Sequence, residues 1–340
     1  MLDGTHAFQP VIHFLHVSPC ERNPILKTAV VIPCYRVKKK ILSVLERIVP
    51  EVTRIYVVDD CCPENTGDFV STQCSDPRVV VLKHSENQGV GGAMVTGYKK
   101  ALEDGFDIVV KLDGDGQMDP LLIPKFIKPI VDCKADYTKG SRFYSLEDLG
   151  GMPKMRLLGN SLLSFVNKAS SGYWNIMDPT NGYTAIHKVA LERLPLRKLS
   201  RRYFFESDIL FRLGTVRAVV CDIPMNAIYD DEESSLSIRK VALEFPPLYL
   251  KSFVKRLFYS YFLRDFNGAS LELVVGTILL VFGSSWGAYH WFLSIVNNIA
   301  ATTGTVMIGA LTVILGAQLL LSSITFDMSN MPTRPLQEDE

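Results

Sequence analysis

The sequence shows no excess of charge of either sign and no paired-cysteine motif. Its 340 residues carry 36 basic and 36 acidic side chains, so the formal net charge is zero and no general attraction to nucleic acid is expected. The seven cysteines are an odd number without a Cys-x-x-Cys pair, which argues against a zinc site or a disulfide framework and is compatible with a reducing cytosol. No nucleic-acid partner is therefore predicted.

Charged residues are also missing from one long segment near the carboxyl end. Residues 273–326 contain no Asp, Glu, Lys or Arg, and His290 is their one potentially charged side chain. As a single helix this segment would be roughly 80 Å long, far more than a bilayer needs. A polar stretch at 297–304 divides it, so two transmembrane helices are predicted, at about 271–296 and 305–326. A buried hydrophobic helical hairpin is the alternative.

The chain is predicted to have five parts. Residues 1–26 are an N-terminal extension, 27–238 an α/β domain, 239–268 juxtamembrane amphipathic helices, 269–328 the two transmembrane helices, and 329–340 a polar cytoplasmic tail that is expected to be disordered. Lys and Arg among aromatic residues in the juxtamembrane part suit a helix in the bilayer interface, with an ordinary packing helix as the alternative. The loop between the spans has no basic residue, so the positive-inside rule predicts a cytoplasmic α/β domain.

The α/β domain is predicted from apolar runs that alternate with helical segments. Strands are expected at 28–35, 54–60, 78–83, 106–110 and 135–143, an edge strand at 219–225, and helices at 37–49 and 93–102. This alternation predicts a doubly wound, mostly parallel sheet, in which ligands bind beyond the carboxyl ends of the strands. The acid pairs Asp59/Asp60 and Asp113/Asp115 both fall at such ends, which predicts a ligand site there.

Asp113 and Asp115 stand two residues apart among glycines, directly after an apolar strand. Carboxylate oxygens are ligands that Mg²⁺ and Mn²⁺ prefer, and glycines let a bulky ligand approach the backbone closely. A divalent-cation site is one interpretation, and a solvated acidic turn is the other. A glycine-rich loop at 87–92 follows the third strand, and its spacing differs from the dinucleotide fingerprint. A tight turn before a helix and a ligand-binding loop both remain open there.

The segment Asp113-Gly114-Asp115-Gly116-Gln117 resembles the Asp-x-Asp-x-Gln motif of glycosyltransferase family 2. The resemblance extends over about residues 28–237. It is greatest to the branch with dolichol-phosphate mannose synthase and bacterial polyprenol-phosphate glucosyltransferases. It implies that residues 27–238 are a GT-A, Rossmann-like glycosyltransferase domain. It also implies that Asp113, Asp115 and Gln117 hold a divalent cation, Mg²⁺ or Mn²⁺, as the cofactor.

The same resemblance implies a set of nucleotide-sugar contacts. They are Pro33, Tyr35, Asp59, Asp60, Asn87, Gly89, Asp113 and Asp178. Residues 87–93 are similar to the Asn-x-Gly-x-Gly-x-Ala loop of the family, and residues 177–183 to its Asp-x-x-x-Gly-Phe/Tyr element. Cys61 and Cys62 depart from the small Gly/Asn-Ser pair that the family usually carries, which affects the detail of base recognition.

A basic turn and the helix after it are implied to bind an acceptor phosphate. Lys139, Ser141 and Arg142 belong to a segment similar to the Gly-Ser/Thr-Arg turn of the polyprenol-phosphate branch. Arg156 and Asn160 are four residues apart and share a helix face. Guanidinium groups suit bidentate phosphate binding. Exposed basic residues on a solvated face are the alternative.

Two acids stand at the start of a later predicted helix. Glu206 and Asp208 lie where related transferases place a base or a sugar-orienting acid, although helix N-termini favour acids on electrostatic grounds alone. An acidic run at 230–233 stands where relatives often carry a basic residue in a loop that closes over the nucleotide. The prediction that this loop closes over the nucleotide is therefore weaker than the prediction of a metal site at Asp113 and Asp115.

The resemblance implies an inverting, metal-dependent transfer of a hexose from a nucleotide sugar, with UDP-glucose as the first choice, to a polyprenol phosphate of the undecaprenyl or dolichol type. Catalytic roles fall to Asp115, Arg142, Arg156 and Glu206. The expected setting is the cytoplasmic face of a bacterial inner membrane, and the expected assembly is a homo-oligomer, with a tetramer suggested by the family. The alternatives are a GDP-mannose-dependent mannosyltransferase, transfer to another lipid-linked acceptor, and a non-catalytic membrane scaffold with a degenerate transferase domain.

Overall fold

The computed structural model describes residues 26–142, 154–226 and 238–339, without the side chains of 154–158, 160, 238–243 and 339. The strands of these residues form one sheet: β1 (Thr28–Cys34), β2 (Val52–Asp59), β3 (Val79–Lys83), β4 (Ile108–Lys111), β5 (Tyr137–Ser141), β6 (Thr184–His187) and β7 (Val220–Pro224). Their order is β3-β2-β1-β4-β6-β5-β7. Neighbours are parallel except that β6 runs antiparallel to β4 and β5. The predicted mostly parallel sheet is confirmed, whereas β6 was not predicted.

Helices cover both faces of the sheet. In chain order they are α1 (Ile41–Glu46), α2 (Thr66–Gln73), α3 (Val90–Glu103), α4 (Ile123–Val131), α5 (Lys154–Ser171), α6 (Lys188–Arg193) and α7 (Phe205–Val216). Helices α3 and α7 pack on the face that carries Val31 and Val109, and α1, α2 and α4 pack on the face that carries Val30 and Val110. Strands covered on both faces are apolar throughout. The ends of the strands are therefore the part of the sheet left open to a ligand.

Two long apolar helices follow the α/β domain. Helix α8 (Ile238–Phe258) continues through a π-helical turn (Tyr259–Arg264) to α9 (Gly268–Asn297) and α10 (Thr303–Ser329). Both α9 and α10 are long and apolar enough to cross a membrane, in agreement with the two predicted spans. They pack closely at glycines: a Cβ added to Gly276 would lie 3.0 Å from the carbonyl oxygen of Gly316. Glycines thus let the two helix backbones approach each other.

Asp327, near the end of α10, joins this helical hairpin to the α/β domain. Its carboxylate pairs with Arg256, with 2.7 Å between Nη1 and Oδ1 and 3.0 Å between Nη2 and Oδ2. It also accepts hydrogen bonds from Trp174 Nε1 at 2.8 Å and from the Tyr261 hydroxyl at 2.5 Å. Arg256 donates in addition to the carbonyl oxygen of Ala169 at 2.8 Å. One buried ion pair therefore ties α8 and α10 to the end of α5.

The segment after α10 returns to the α/β domain. The backbone N–H of Leu336 donates to Asp136 Oδ1 at 2.8 Å, and Gln337 Nε2 donates to the carbonyl oxygen of Ala135 at 3.0 Å. Leu336 and Gln337 are buried in this contact. The described residues of the expected disordered tail are therefore ordered, because the buried carboxylate of Asp136, directly before β5, accepts their backbone hydrogen bonds.

Candidate active site

A cavity of about 720 Å³ lies beyond the carboxyl ends of β1, β2 and β4. Several of the predicted site residues line it: Pro33, Tyr35, Asp60, Asn87, Gly89, Asp113, Asp115 and Glu206. Others are not part of its described lining: Asp59, Gln117, Lys139, Ser141, Arg142 and Asp178. The strand-end location that the sequence predicted therefore holds most of the predicted donor contacts, whereas the predicted acceptor contacts Lys139, Ser141 and Arg142 are not in its described lining.

Asp60 shapes the glycine-rich loop beside the cavity. Its carboxylate accepts hydrogen bonds from the backbone N–H groups of Gln88 at 2.8 Å and Gly89 at 2.7 Å, and it contacts His84 Nδ1 at 2.7 Å. Gly89 has a φ of 82° and leaves no room for a Cβ, which would lie 2.5 Å from the carbonyl oxygen of Arg201. The glycine is therefore needed for both conformation and space.

Asp59 serves the loop after β2 rather than the cavity. Its Oδ1 accepts a hydrogen bond from the backbone N–H of Cys62 at 2.7 Å, and its Oδ2 accepts one from Gly67, in the first turn of α2, at 2.5 Å. Both carboxylate oxygens are thus occupied, and the side chain is buried. The predicted nucleotide contact at Asp59 does not fit this placement, and Asp60 is the acid of the pair that faces the site.

Lys111, the last residue of β4, contacts two acids that line the cavity, Asp113 and Glu206. Its Nζ is 2.8 Å from Asp113 Oδ1 and 3.4 Å from Glu206 Oε1, and it donates to the carbonyl oxygen of Gly182 at 3.1 Å. Burial alone would lower the pKa of this ammonium group, but the nearby carboxylates of Asp113 and Glu206 outweigh burial and raise it. Lys111 is therefore a fixed positive charge at the floor of the site.

Asp115 follows on the same turn and lines the cavity. Its Oδ1 accepts a hydrogen bond from the backbone N–H of Gln117 at 3.0 Å, and Gly116 between them has a φ of 82°. The turn is thus held by the main chain of Gln117. The side chain of Gln117, which was predicted to be a metal ligand, is not part of the described lining of the cavity.

The donor atoms at this turn fit a hard divalent cation that is shared with a ligand. Asp113 and Asp115 offer carboxylate oxygens to one cavity, and the described residues contain no group of three or more His, Cys, Asp or Glu side chains that could hold an ion by themselves. Mg²⁺ in transferase sites is usually held by one or two carboxylates together with substrate phosphates. The carboxylates present therefore match a cation that binds with a phosphorylated substrate.

Glu206 and Asp208, both in the first turn of α7, have different surroundings. Glu206 lines the cavity, and its Oε1 is 3.4 Å from Lys111 Nζ. Asp208 points away from it, because its Oδ2 accepts hydrogen bonds from the Ser200 backbone N–H at 2.7 Å and from Arg212 Nε at 3.0 Å. The structure therefore separates two acids that the sequence could not distinguish, with Glu206 at the site and Asp208 in a structural role.

Arg142 and Asp178 bind each other. Arg142 Nε is 2.7 Å from Asp178 Oδ2, and its Nη2 is 3.1 Å from Oδ1, in a bidentate ion pair with a fully buried carboxylate. Asp178 is thereby fixed as a partner of Arg142 at the start of the turn that carries Thr180 and Gly182 to the cavity wall. The side chains of Arg156 and Asn160 lie outside the described residues.

Lys139 and Ser141, on β5, are fully buried. The ammonium group of Lys139 donates a hydrogen bond to the carbonyl oxygen of Asn181. Burial lowers the pKa of Lys139 to about 8. The predicted contact of these two side chains with an acceptor phosphate does not fit their burial.

Some residues of the site were not predicted. Lys111, Arg202, Tyr203 and Phe245 line the cavity together with Thr180 and Gly182. A lysine at the end of an apolar strand, next to two aspartates, is a signal that could have identified Lys111. Arg202 lies in the described lining of the cavity, whereas the arginine that was predicted from the basic turn, Arg142, does not.

Comparison with known proteins identifies the family. A model of glycosyl transferase family 2 matches residues 29–194. The UDP-N-acetylglucosamine–dolichyl-phosphate N-acetylglucosaminyltransferase of Methanococcus voltae is 32% identical over 215 residues, which cover 59% of this chain and 85% of that protein. The chain belongs to glycosyltransferase family 2. This family 2 member is therefore a glycosyltransferase, as the Asp-x-Asp-x-Gln segment predicted.

Other relatives agree with this assignment. The undecaprenyl-phosphate mannosyltransferase of Micrococcus luteus is 29% identical to this family 2 glycosyltransferase over 208 residues, covering 60% of this chain and 84% of that protein. The crystal structure of mannosyl-3-phosphoglycerate synthase from Rubrobacter xylanophilus superposes with a TM-score of 0.52 at 16% identity, covering 73% of this chain and 79% of that one. At this identity the superposition shows the fold alone, which is of the predicted GT-A type.

Proposed function

We propose that this glycosyltransferase moves a hexose from a nucleotide sugar to a polyprenol phosphate, with inversion at the anomeric carbon. The observation that carries the proposal is the cavity at the strand ends, in which Asp113, Asp115 and Glu206 face one space at the open edge of the sheet. Two features support a lipid acceptor. The two relatives compared above are named for transfer to dolichyl phosphate and undecaprenyl phosphate. The same chain carries two helices able to span a bilayer.

The donor would lie along the cavity from β1 to α7. Pro33, Tyr35 and Asn87, which line the cavity, would contact the nucleoside, and the loop that Asp60 holds at Gly89 would lie beside it. A divalent cation, Mg²⁺ or Mn²⁺, held by Asp115 with Asp113 beside it, would neutralise the charge on the leaving diphosphate.

The sugar would lie between Gly182 and Glu206, above Lys111. In the reaction an oxygen of the acceptor phosphate forms a bond to the anomeric carbon, and the bond from that carbon to the diphosphate oxygen breaks. A phosphate oxygen is already anionic near pH 7, so no strong base is required and positioning dominates. Glu206 is then better suited to accept a hydrogen bond from a sugar hydroxyl than to remove a proton.

The acceptor phosphate needs a cationic partner. Arg142 and Arg156 remain the predicted contacts, and Arg202, which is exposed and lines the cavity, is a further candidate from the geometry. Phe245 from α8 and Leu163 from α5 are apolar residues of the lining. We infer that the lipid chain leaves the cavity between these two helices.

The membrane side would be the surface of α8 and the π-helical turn. Large apolar side chains are exposed along it: Leu250, Val254, Phe258, Leu263 and Phe266. Lys251 and Lys255 are exposed among them, a composition that suits a bilayer interface with anionic lipids. With basic residues on this side and none in the loop between α9 and α10, we propose a cytoplasmic catalytic domain at a bacterial inner membrane. A homo-oligomer, and a tetramer in particular, remains a prediction.

The sugar is the finer question, and a donor screen tests it together with the reaction. Purified protein in detergent receives polyprenol phosphate, Mn²⁺ or Mg²⁺, and one labelled donor: UDP-glucose, UDP-N-acetylglucosamine or GDP-mannose. We expect lipid-extractable label with one donor and none after addition of EDTA. UDP-glucose is our first choice, and GDP-mannose is the alternative that the mannosyltransferase relatives support equally. Absence of label with every donor would favour a non-catalytic scaffold.

A further inference from the structure

The turn between α5 and β6 enters the sheet between two buried lysines. β6 begins at Thr184, which pairs with Lys111 of β4 on one side and with Lys139 of β5 on the other. The two lysines therefore flank the same point of β6, directly after the turn. Both side chains are almost completely buried, at 1% and 0% exposure.

Each lysine holds one carbonyl group of this turn. Lys111 Nζ donates to the carbonyl oxygen of Gly182 at 3.1 Å, and Lys139 Nζ donates to that of Asn181, the residue before it. Thr180 and Gly182 are the residues of the turn that line the cavity. Two consecutive carbonyl groups beside the cavity thus accept hydrogen bonds from charged ammonium groups. Such hydrogen bonds are stronger than those from neutral donors.

The electrostatic cost of the two lysines differs. Lys111 has carboxylates at 2.8 and 3.4 Å, those of Asp113 and Glu206. For Lys139, the carboxylates of Glu206, Asp178 and Asp222 favour the charged form from a distance, but burial outweighs them and its pKa is lowered. An ammonium group whose charged form is disfavoured by burial is poorly explained as a stabilising feature. Its hydrogen bond to the turn is the contact that explains its presence.

We propose that Lys111 and Lys139 are positioning residues that hold the backbone of the Asn181–Gly182 segment, and with it the sugar-side wall of the donor cavity. The space around Gly182 supports this: an added Cβ would lie 2.6 Å from Lys111 Nζ and 2.8 Å from Asp113 Oδ2. The wall therefore fits closely over the lysine. The effect on the turn is independent of the reaction, whereas the consequence for the donor rests on the proposed function.

Lys139→Met is the central test, because methionine fills similar space without the donor group. Hydrogen–deuterium exchange of the substrate-free protein should be faster in peptides that cover 178–184 and unchanged in peptides from β2. The midpoint of thermal unfolding should stay the same or rise, since a charge that burial disfavours is removed. The exposed lysine variant Lys134→Met is the matched control and should alter neither measurement. Unchanged exchange at the turn in Lys139→Met would overturn the proposal.

Kinetics separate positioning from general destabilisation. With the donor found in the screen, Lys139→Met should raise KM for the nucleotide sugar about tenfold, the loss expected for one charge-assisted hydrogen bond, with a smaller change in kcat. Gly182→Ala should do the same by displacing the Lys111 ammonium group. Faster exchange across the whole sheet together with a lower unfolding midpoint would mean a merely structural role and would also overturn the proposal. Faster exchange confined to the turn, in a protein that transfers no sugar, would support the positioning and reject the proposed function.

Discussion

The α/β domain and the α9–α10 hairpin bury opposite kinds of groups. In the domain, charged side chains such as Lys111, Lys139 and Asp178 lie inside, each with a named polar contact. The described hairpin has no Asp, Glu, Lys or Arg between residues 273 and 326, its contacts are made at glycines, and its large apolar residues face outwards. The difference shows what each part requires. The cavity needs fixed charges, which only a folded interior can hold in place, and the hairpin needs an apolar outer surface.

The largest effect should come from removing charge at the cavity. Asp115→Ala should lower the transfer rate roughly 10³-fold, because the diphosphate would lose the carboxylate that holds its cation. The measurement is lipid-extractable label per minute, together with Mn²⁺ binding followed by electron paramagnetic resonance. Asp132→Ala, in an aspartate that pairs with surface lysines outside the cavity, is the control. Wild-type turnover in Asp115→Ala would show that the site is assigned incorrectly.

The second prediction concerns the ion pair where the two regions meet. Arg256 and Asp327 are 5% and 11% exposed, so Arg256→Met leaves a buried carboxylate without its cation. We expect a loss of about 3 kcal/mol in the free energy of unfolding, measured by thermal or denaturant unfolding in detergent. The double variant Arg256→Met/Asp327→Leu should recover most of the loss. Equal losses in the single and double variants would mean that the charges themselves contribute little at this junction.

The third prediction tests the glycine packing of the hairpin. A Cβ on Gly283 would lie 2.4 Å from Thr312 Oγ1 and 2.9 Å from the backbone nitrogen of Val313, whereas no atom lies within 4 Å of one on Gly287. Gly283→Leu should therefore separate α9 from α10 and cost about 2 kcal/mol. Gly287→Leu, one helical turn away, should cost much less. Similar unfolding midpoints for the two variants would argue against close helix contact at Gly283.

The smallest effect concerns Asp222, because burial makes the ionised form of its carboxyl group unfavourable. Asp222 on β7 has a pKa raised from 3.8 to about 6, chiefly by burial. The folded protein therefore binds more protons than the unfolded chain between about pH 4 and pH 6, and this group makes stability fall as pH rises through that window. Asp222→Asn should raise the free energy of unfolding at pH 7 and leave it nearly unchanged at pH 4, because the buried carboxyl group is already protonated at the lower pH.

Denaturant unfolding at the two pH values measures this difference. Asp68→Asn, in an exposed aspartate of α2, is the control and should leave the pH dependence of wild type. An Asp222→Asn variant whose stability runs parallel to that of wild type from pH 4 to pH 7 would show that Asp222 does not titrate in this range.

The parallel half of the sheet was predictable because its signals are local. β1, β2 and β4 are mostly apolar runs buried on both faces, and acids follow β2 and β4, so Asp60, Asp113 and Asp115 could be placed at one edge of the sheet from the sequence alone. β6 could not be placed in this way. It has four residues, and its position is defined by pairing with β4 and β5, which are distant in sequence.

The errors at the site have the same origin. Asp59 and Asp60 are adjacent and chemically identical, and only the fold decides that Asp59 caps the loop before α2 while Asp60 faces the cavity. Lys139 was interpreted as a phosphate ligand because it is a lysine next to Gly140 and Arg142. It is fully buried, and its ammonium group donates to the carbonyl oxygen of Asn181, which belongs to a later part of the chain. Side-chain identity was thus informative where one element decides the environment and misleading where distant parts of the chain do.

The hydrogen bonds of Leu336 and Gln337 connect the α/β domain to the hairpin a second time. The chain leaves the domain through α8 and is fastened to it again at Asp136, the residue directly before β5. A domain attached only through the chain could rotate about that connection. Here the tail contact and the Arg256–Asp327 ion pair are two further attachments, so we expect the domain and the hairpin to move as one body.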